Sequence, residues 1–518
     1  MISKQSIRPS SNPPALSWSN RILLLGLAGI LFLTLYPFRF NFHVLPNSAS
    51  PLLLGKSLKR VSVVDALLNI LLFVPLGFGL AEKLRERGKS ARSVLLGALA
   101  VGALLSYTIE FLQLYIPERD SGWEDVFTNG SGSLVGAAFY LLTGDYFVRV
   151  FNSTQQSLAA HFTTRRLAIG LTTYFIFWFG LAALLQTQTR LSNWKLDAML
   201  VLGNDGSGSE PWRGQIQALQ IWDRAVQADD ASSTIPHGIA QSMAPLVDYD
   251  FSTPLDVSTE SKFVPNLTWV PHAPAETAAR GGLSLDGNQW VSTKADVVNL
   301  IESLRKTNQF ALHVICTPAD AAGAADAYGR IVSISDSTGT ADITLRQEDA
   351  NLVFWFRTPL AAKHAQLAWY VPGVFSDHRQ RDILYSYDGS KLLLTLDGKR
   401  PRLNYRLGPG TQLARIVRNV KPSELAGYNY IFYALVFFVV GAIFGLVRLQ
   451  VSTATNRRIF TTMVMVLLSS AFLLEFILVG VSGRTSSFGH VALSFVLGIA
   501  GFLWARVDET FLVQGDAR

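Results

Sequence analysis

One stretch of the sequence, from Glu110 to Gly136, collects polar side chains where two apolar runs meet. Glu110 and Gln113 are three residues apart near the end of the first run, which places them on one face of a helix. Asp125 and Asn129 are four residues apart at the start of the second run. A carboxylate in such a place could act as a general acid or base, and amides could orient a polar ligand.

Further polar residues stand at the ends of neighbouring apolar runs. The complete candidate cluster is Arg39, Asp65, Asn69, Glu110, Gln113, Arg119, Asp125 and Asn129. Charged and amide groups beside hydrocarbon are costly unless they bond to one another or serve a function. The cluster is therefore either a set of structural residues that bond neighbouring helices together or a polar pocket facing the outer leaflet. A third interpretation is that its members make no mutual contact.

Runs of membrane-spanning length account for the apolar composition, in which 49% of the 518 residues are hydrophobic and 16% are charged. A helix needs about 20 apolar residues to cross a bilayer. Eight runs approach this length, at 21–38, 65–81, 93–115, 126–143, 167–186, 428–448, 459–480 and 487–505. We therefore predict a polytopic α-helical membrane protein with about eight spans.

Lysine and arginine are concentrated in the segments that face the cytoplasm if the amino terminus lies inside. The clearest example is the loop after the second run, which contains Lys83, Arg85, Arg87, Lys89 and Arg92. The positive-inside rule then predicts cytoplasmic tails at 1–20 and 506–518 and an outward-facing candidate cluster. Because the basic residues lie beside spans, we predict membrane lipid as a partner and no nucleic acid; the oligomeric state stays open.

The order of the polar motifs resembles that of the VanZ-like membrane proteins over about 30–143. The resemblance rests on Asp65-x3-Asn69, PLGF at 75–78, Glu110-x2-Gln113, Arg119, Asp125-x3-Asn129 and Gly132-x3-Gly136. It implies a bacterial cytoplasmic membrane and a set of motif residues, but no reaction. The glycine pair also predicts a close helix contact, because small residues four apart let two backbones approach.

Between 187 and 427 the chain is polar, and short alternating segments with turn signals predict an all-β sandwich outside the membrane. The strand candidates are 282–292, 329–336, 342–347, 351–358 and 383–400, with hairpin turns at Asp388-Gly389 and Asp397-Gly398. The segments LDGNQWVS and SYDGSKLLLTLDGK resemble laminin-G and concanavalin A-like lectin jelly rolls, which implies a glycan or polysaccharide partner. Segment 202–226 resembles the closing strands of that family but stands first, so we predict a circularly permuted jelly roll.

Exposed aromatic rings could form the sugar site of this domain, and Trp194, Trp212, Trp290 and Trp355 are the candidates. The alternative for each is a place in the core. No E-x-D-x-E run is present, so the sequence does not predict the paired carboxylates of a concanavalin-like hydrolase. No cofactor is predicted, apart from calcium at the turn that contains Asp205. Cys316 is the only cysteine.

A second stretch, 475–491, aligns without a gap to 110–126. In this alignment Glu475, Arg484, His490 and Gly501 fall on Glu110, Arg119, Asp125 and Gly136. Because charged residues are rare beside spans, the pattern indicates two parallel four-helix repeats, with the sandwich inserted in the second. The second copy has lost most of the amides, so we expect the first copy to carry any ligand and the second to be architectural.

The predicted domains are an inner tail at 1–20, a VanZ-like repeat at 21–143, an inner loop with the fifth span at 144–186, the sandwich at 187–427, spans six to eight of the diverged repeat at 428–505, and a tail at 506–518. Three functions stay open. The sandwich could bind glycan without catalysis; the cluster could act on a lipid-linked glycan or headgroup with Glu110 as acid or base; or the bundle could move a lipid or amphiphile. We favour the first.

The topology can be tested with alkaline phosphatase fusions, which are active only outside the cytoplasm. A fusion near Gly287 should be active, and fusions near Arg87, Gln156 and Ala454 should be inactive, because basic loops stay inside. Enzyme activity normalised to fusion abundance is the measurement. An active fusion at Arg87 would reverse the orientation and place the candidate cluster inside.

Overall fold

The apolar stretches form helices in the computed structural model, which describes residues 18–36, 38, 40–42, 63–116, 122–161, 164–226, 244–251, 262–271, 282–320, 327–360, 368–399, 403–417, 425–448 and 453–506. The helices of these residues are α1 (Trp18–Leu35), α2 (Val63–Glu86), α3 (Ala91–Gln113), α4 (Trp123–His161), α5 (Thr164–Thr187), α6 (Val298–Thr307), α7 (Pro409–Val417), α8 (Leu425–Arg448), α9 (Thr453–Ser482) and α10 (Phe488–Trp504). Each of the eight predicted runs lies mainly on one of the helices α1–α5 and α8–α10, so their helical prediction is confirmed.

Five helical segments are long and apolar enough to cross a membrane, namely Asp65–Glu86, Ala91–Gln113, Arg165–Thr187, Ala426–Val447 and Arg457–Ser482. Asn20–Leu35 and Phe488–Trp504 are apolar but shorter. Length and composition thus support five spans, and the count of eight stays a prediction.

The chain divides into two compact units. The first comprises Met1–Thr172, Ala434–Leu468 and Leu493–Arg518, and its described secondary-structure elements are all helices. The second comprises Thr173–Tyr433 and Ser469–Ala492, and it contains every described strand.

In the first unit, glycines let α2 and α4 approach backbone to backbone. A Cβ atom placed on Gly132 would overlap the carbonyl oxygen of Ile70, and one on Gly136 would overlap that of Val74. The predicted close contact at this glycine pair is therefore confirmed. Apolar side chains complete the packing beside it, because Phe73 and Ile109 are almost fully buried between α1, α2 and α3.

The helices α8 and α10 make a contact of the same kind in the first unit. A Cβ atom on Gly441 would overlap the carbonyl oxygen of Gly498, and one on Gly501 would overlap that of Phe438. No larger side chain fits at these positions unless the two helices move apart.

The second unit contains two antiparallel sheets of short strands. They are β1 (Met199–Leu202), β2 (Arg213–Trp222), β3 (Val247–Asp250), β4 (Thr268–Val270), β5 (Leu283–Asp286), β6 (Trp290–Ser292), β7 (Phe310–Pro318), β8 (Tyr328–Ser335), β9 (Ala341–Glu348), β10 (Asn351–Phe356), β11 (Trp369–Val371), β12 (Arg381–Tyr387), β13 (Lys391–Leu396) and β14 (Leu403–Arg406). One sheet has the order β11-β10-β9-β8-β1-β6-β4, and the other has the order β14-β13-β12-β7-β2-β3, with β5 also paired to β2.

One large apolar core joins the strands of both sheets, and it includes Leu202, Ile216, Leu312 and Phe354. The predicted strands appear as β5, β6, β8, β9, β10, β12 and β13, and the all-β prediction is confirmed. Both predicted hairpin turns are present, because Gly389 (φ +91°) lies between β12 and β13 and Gly398 (φ +63°) follows β13. The strand β7 was not predicted, although it pairs with both β2 and β12 at the centre of its sheet.

The helix contacts predict a difference between glycines. Gly136→Ala and Gly501→Ala should each destabilise the protein by about 1–3 kcal/mol, because the added methyl group meets a backbone carbonyl. Gly180→Ala in α5 is the matched control, since a Cβ atom there meets nothing within 4 Å. Thermal unfolding of the purified protein, followed by fluorescence-detected gel filtration after heating, measures the effect. Equal melting of all three variants would contradict the close packing.

Candidate functional site

Glu110 lies near the end of α3 and is 2% exposed. Its Oε2 atom accepts a hydrogen bond from the backbone N–H of Gly122, at 2.9 Å, one residue before α4 begins. The carboxylate therefore joins the end of one helix to the start of the next. A backbone N–H at a helix start is an orphan donor that needs such an acceptor.

Asp125 and Asn69 form a second pair, which links α4 to α2. The Nδ2 atom of Asn69 donates to Oδ1 of Asp125 at 2.6 Å. Asp65 is exposed one turn before Asn69 on α2. Thus one residue of each Asp-x3-Asn motif, Asn69 of α2 and Asp125 of α4, joins the helix pair that the glycines bring together.

Asn129 and Ser106 form a third pair, between α4 and α3. The Nδ2 atom of Asn129 donates to Oγ of Ser106 at 2.9 Å, and this hydroxyl donates to the carbonyl oxygen of Asp125 at 3.3 Å. Ser106 was not predicted as a site residue. Its signal was available, because it is a buried serine one turn before Glu110 on the same face of α3.

Gln113 makes a separate connection, in which Nε2 donates to the carbonyl oxygen of Thr34 on α1 at 2.8 Å. Six of the eight predicted cluster residues are described. Five of them, Asn69, Glu110, Gln113, Asp125 and Asn129, make hydrogen bonds that join the helices α1 to α4. Arg39 and Arg119 lie outside the described residues.

In the second unit, Glu475 occupies the corresponding place at the end of α9. Its Oε1 atom accepts the backbone N–H of Ser487 at 2.6 Å, one residue before α10 begins. Its Oε2 atom pairs with Nη2 of Arg484 at 2.6 Å, and both side chains are buried. The three predicted counterparts Glu475, Arg484 and His490 are all in contact, because Nδ1 of His490 lies 3.2 Å from the same carboxylate oxygen.

Arg406 of β14 completes this cluster, although no local pattern in the sequence indicated it. Its Nη1 atom lies 2.7 Å from Nε2 of His490. Because a guanidinium only donates, Nε2 accepts and the proton of His490 is on Nδ1, where it donates to Glu475. Burial and then the neighbouring charge of Arg484 lower the pKa of Arg406, so the imidazole acceptor offsets a desolvated charge. We call Glu475, Arg484, His490 and Arg406 the second cluster.

The four candidate tryptophans have different environments. Trp194 and Trp212 are core residues, 2% and 1% exposed, and their Nε1 atoms donate to the Arg357 carbonyl and to Gln347 at 2.8 Å. A sugar cannot stack on a ring that is packed on both faces, so these two are corrected to structural residues. Trp290 and Trp355 are half-buried.

The turn at Asp205 already has donors for its carboxylate. Oδ1 accepts the backbone N–H groups of Ser207 and Ser209, at 3.1 and 3.0 Å, and Arg330 lies 3.7 Å from Oδ2. Burial alone would raise the pKa of Asp205, but these serines and Arg330 lower it. Among the described residues, no group of three or more His, Cys, Asp or Glu could hold a metal ion. Calcium binding stays a prediction.

The described helices and sheets therefore define an integral membrane protein that carries a large all-β domain. Residues 7–144 match the family model described as VanZ/LLP1. The match covers the predicted region 30–143 and all motif residues named there, so the chain contains a VanZ-like region. No curated protein and no solved structure matches the chain.

The buried pair of the second cluster predicts a large coupling. Glu475→Gln should destabilise the protein by about 3–5 kcal/mol, because it leaves the guanidinium of Arg484 buried without a countercharge. The double variant Glu475→Gln/Arg484→Gln should lose less than the sum of the single variants. Denaturant-induced unfolding in detergent gives the three values. Strict additivity would show that the two charges do not depend on each other.

Proposed function

We propose that this protein is a multi-pass protein of the bacterial cytoplasmic membrane that presents a glycan-binding β domain outside the cell membrane and has no catalytic role of its own. In this proposal both termini are cytoplasmic. The supporting observation is that the β domain is hydrogen-bonded to the ends of apolar helices within the second unit, rather than joined to them by chain alone.

Four contacts support this attachment. Asn308 and Gln309, which follow α6, donate to the carbonyl oxygens of Ser482 and Gly483 at 2.5 and 2.7 Å. Thr485 donates to Asp388 of the β12–β13 turn at 3.2 Å. Tyr387 donates to the carbonyl oxygen of Thr189, just after α5, at 2.6 Å. A domain held at several points keeps one orientation, which suits the display of a binding face.

We further propose that the membrane part arose by duplication of a four-helix repeat. In both halves a glutamate accepts the backbone N–H of the residue twelve positions later, Gly122 for Glu110 and Ser487 for Glu475. The glycine contacts support the same alignment. A Cβ atom on Gly136 would meet Val74 and Phe78, and one on Gly501 would meet Phe438 and Ala442, which the alignment places at the equivalent positions.

The lectin-like jelly roll with permuted strand order is part of this proposal. The first two strands of the domain support it, because they lie inside the sheets rather than at the edges. The strand β1 pairs with β8 and β6, and β2 pairs with β7 on one side and with β3 and β5 on the other. Because the first strands lie inside both sheets, the chain enters this domain at a point that would be a loop in a different strand order.

A second candidate function is an enzyme that acts on a lipid-linked glycan or headgroup at the candidate cluster around Glu110. One observation favours it: Oδ1 of Asn129 is buried and has no hydrogen-bond partner among the described residues. Against it, Asn69 and Asp125 bond to each other, and Glu110 and Gln113 bond to backbone groups, as residues that only hold helices together do.

Glycan binding by the full chain tests the main proposal. The protein should be extracted into styrene–maleic acid nanodiscs, because sugar-based detergents would compete for the site, and applied to an array of bacterial oligosaccharides. We expect binding that is unchanged in Glu110→Gln, provided that this variant accumulates normally. Folded protein that binds no glycan would overturn the proposal, and loss of a lipid-linked product in Glu110→Gln at normal abundance would favour the enzyme.

A further inference from the structure

The strands β8, β9, β10 and β11 have a second face, opposite to the core, that is built differently from the core side. In β10, Leu352, Phe354 and Phe356 point into the core, whereas the alternate residues Val353 and Trp355 lie on the opposite face. Side chains of alternate residues in a strand point to opposite sides of the sheet. Trp355 is therefore the one candidate tryptophan that the strand pairing places on the outer face of these four strands.

Strand register sets an aromatic pair beside a row of polar residues. Tyr370 of β11, 57% exposed, is opposite Val353, and it is thus a diagonal neighbour of Trp355 on the same face. On the other side of β10, Thr344 is opposite Trp355 and Arg346 is opposite Val353. These residues line a cleft of about 350 Å³ together with Arg330 and Thr340, a volume within the usual range for small-molecule sites.

Three buried polar atoms of this cleft have no hydrogen-bond partner among the described residues. They are Nε1 of Trp355, Oγ1 of Thr344 and Nε of Arg346. A buried donor or hydroxyl without a partner costs about 1–3 kcal/mol, so native structures rarely leave one. Three of them on adjacent strands beside an aromatic ring point to a polar ligand that accepts hydrogen bonds.

The charges of the cleft are already balanced by protein groups. Arg346 pairs with Glu348 at 2.7 Å, and Arg330 pairs with Glu210 at 3.0 Å. Because each of these arginines has a carboxylate partner, the two pairs carry no net positive charge that would bind an acidic ligand. The ligand that fits is neutral, has hydroxyl oxygens as acceptors, and has an apolar face for the rings, which is the chemistry of a pyranose sugar.

We infer that the outer face of β8–β11 is the binding site for a neutral, hydroxyl-rich glycan, with Trp355 and Tyr370 as the stacking platform and Thr344 and Arg346 as the polar contacts. This inference rests on the proposed function and names its site and its ligand class. It also separates Trp355 from Trp290, which lies on β6 and does not line this cleft.

The test uses the full chain in styrene–maleic acid nanodiscs and an array of neutral hexose oligosaccharides and uronate-containing oligosaccharides. Trp355→Ala and Tyr370→Ala should each weaken binding to the neutral glycans at least tenfold. Trp355→Phe, which keeps a ring but loses the N–H donor, should weaken it less, and Thr344→Val should weaken it while keeping the side-chain shape. Trp290→Ala is the matched control and should bind as the wild type does.

Circular dichroism and thermal melting of each variant should match the wild type, which separates loss of the site from loss of the fold. If Trp355→Ala and Tyr370→Ala bind normally while the wild type binds glycan, the site is wrong and the proposed function survives. If the wild type prefers uronates, the ligand class is wrong. If the folded wild type binds no glycan, the proposed function fails and this inference fails with it.

Discussion

A carboxylate buried at the end of an apolar helix must be matched by donors, and this requirement organises the membrane part of the protein. Glu110 and Glu475 each accept the backbone N–H just before the next helix begins, so each closes the connection between two antiparallel helices. The bond removes two costs at once, because an orphan helix-start donor and a buried acceptor satisfy each other. These carboxylates are tolerated near hydrocarbon because each one accepts a hydrogen bond from a backbone N–H group.

Close backbone packing involves the helices α4 and α10 as well, but with α2 and α8 as their partners. The glycines of α4 and α10 remove the side chains that would keep the partner helix at a distance, and the carbonyl groups of α2 and α8 occupy the space. In the second cluster, the contact of Arg406 with His490 extends the set of bonds from the helices into β14. One set of polar contacts thus holds the loop after α9, the start of α10 and the β domain within the second unit.

In the β domain, tryptophans have different roles because some lie on the core face of a sheet and others on the opposite face. Trp212 is packed and bonded to Gln347, whereas Trp355 lies on the outer side of β10 beside Tyr370. The core gains from burying every large ring that it can accommodate. Trp355 is half-buried, and its Nε1 donor has no partner among the described residues, so its place on this face needs a functional explanation.

The sequence by itself determined the helices, the turns and the local polar groups, because these depend on neighbours along the chain. Apolar length was enough to place α1–α5 and α8–α10, and Asp388-Gly389 was enough to place a hairpin turn. The alignment of Glu475, Arg484 and His490 with Glu110, Arg119 and Asp125 found residues that lie within fifteen positions of one another and do make contact. Only the tertiary structure decided contacts between distant segments. Arg406 reaches His490 across 84 residues, and no local pattern records it. The strand β10 is apolar on both faces, so alternation alone could not tell whether Trp355 points inward; its register with β9 and β11 decided this, because strand pairing orients every side chain of the strand at once.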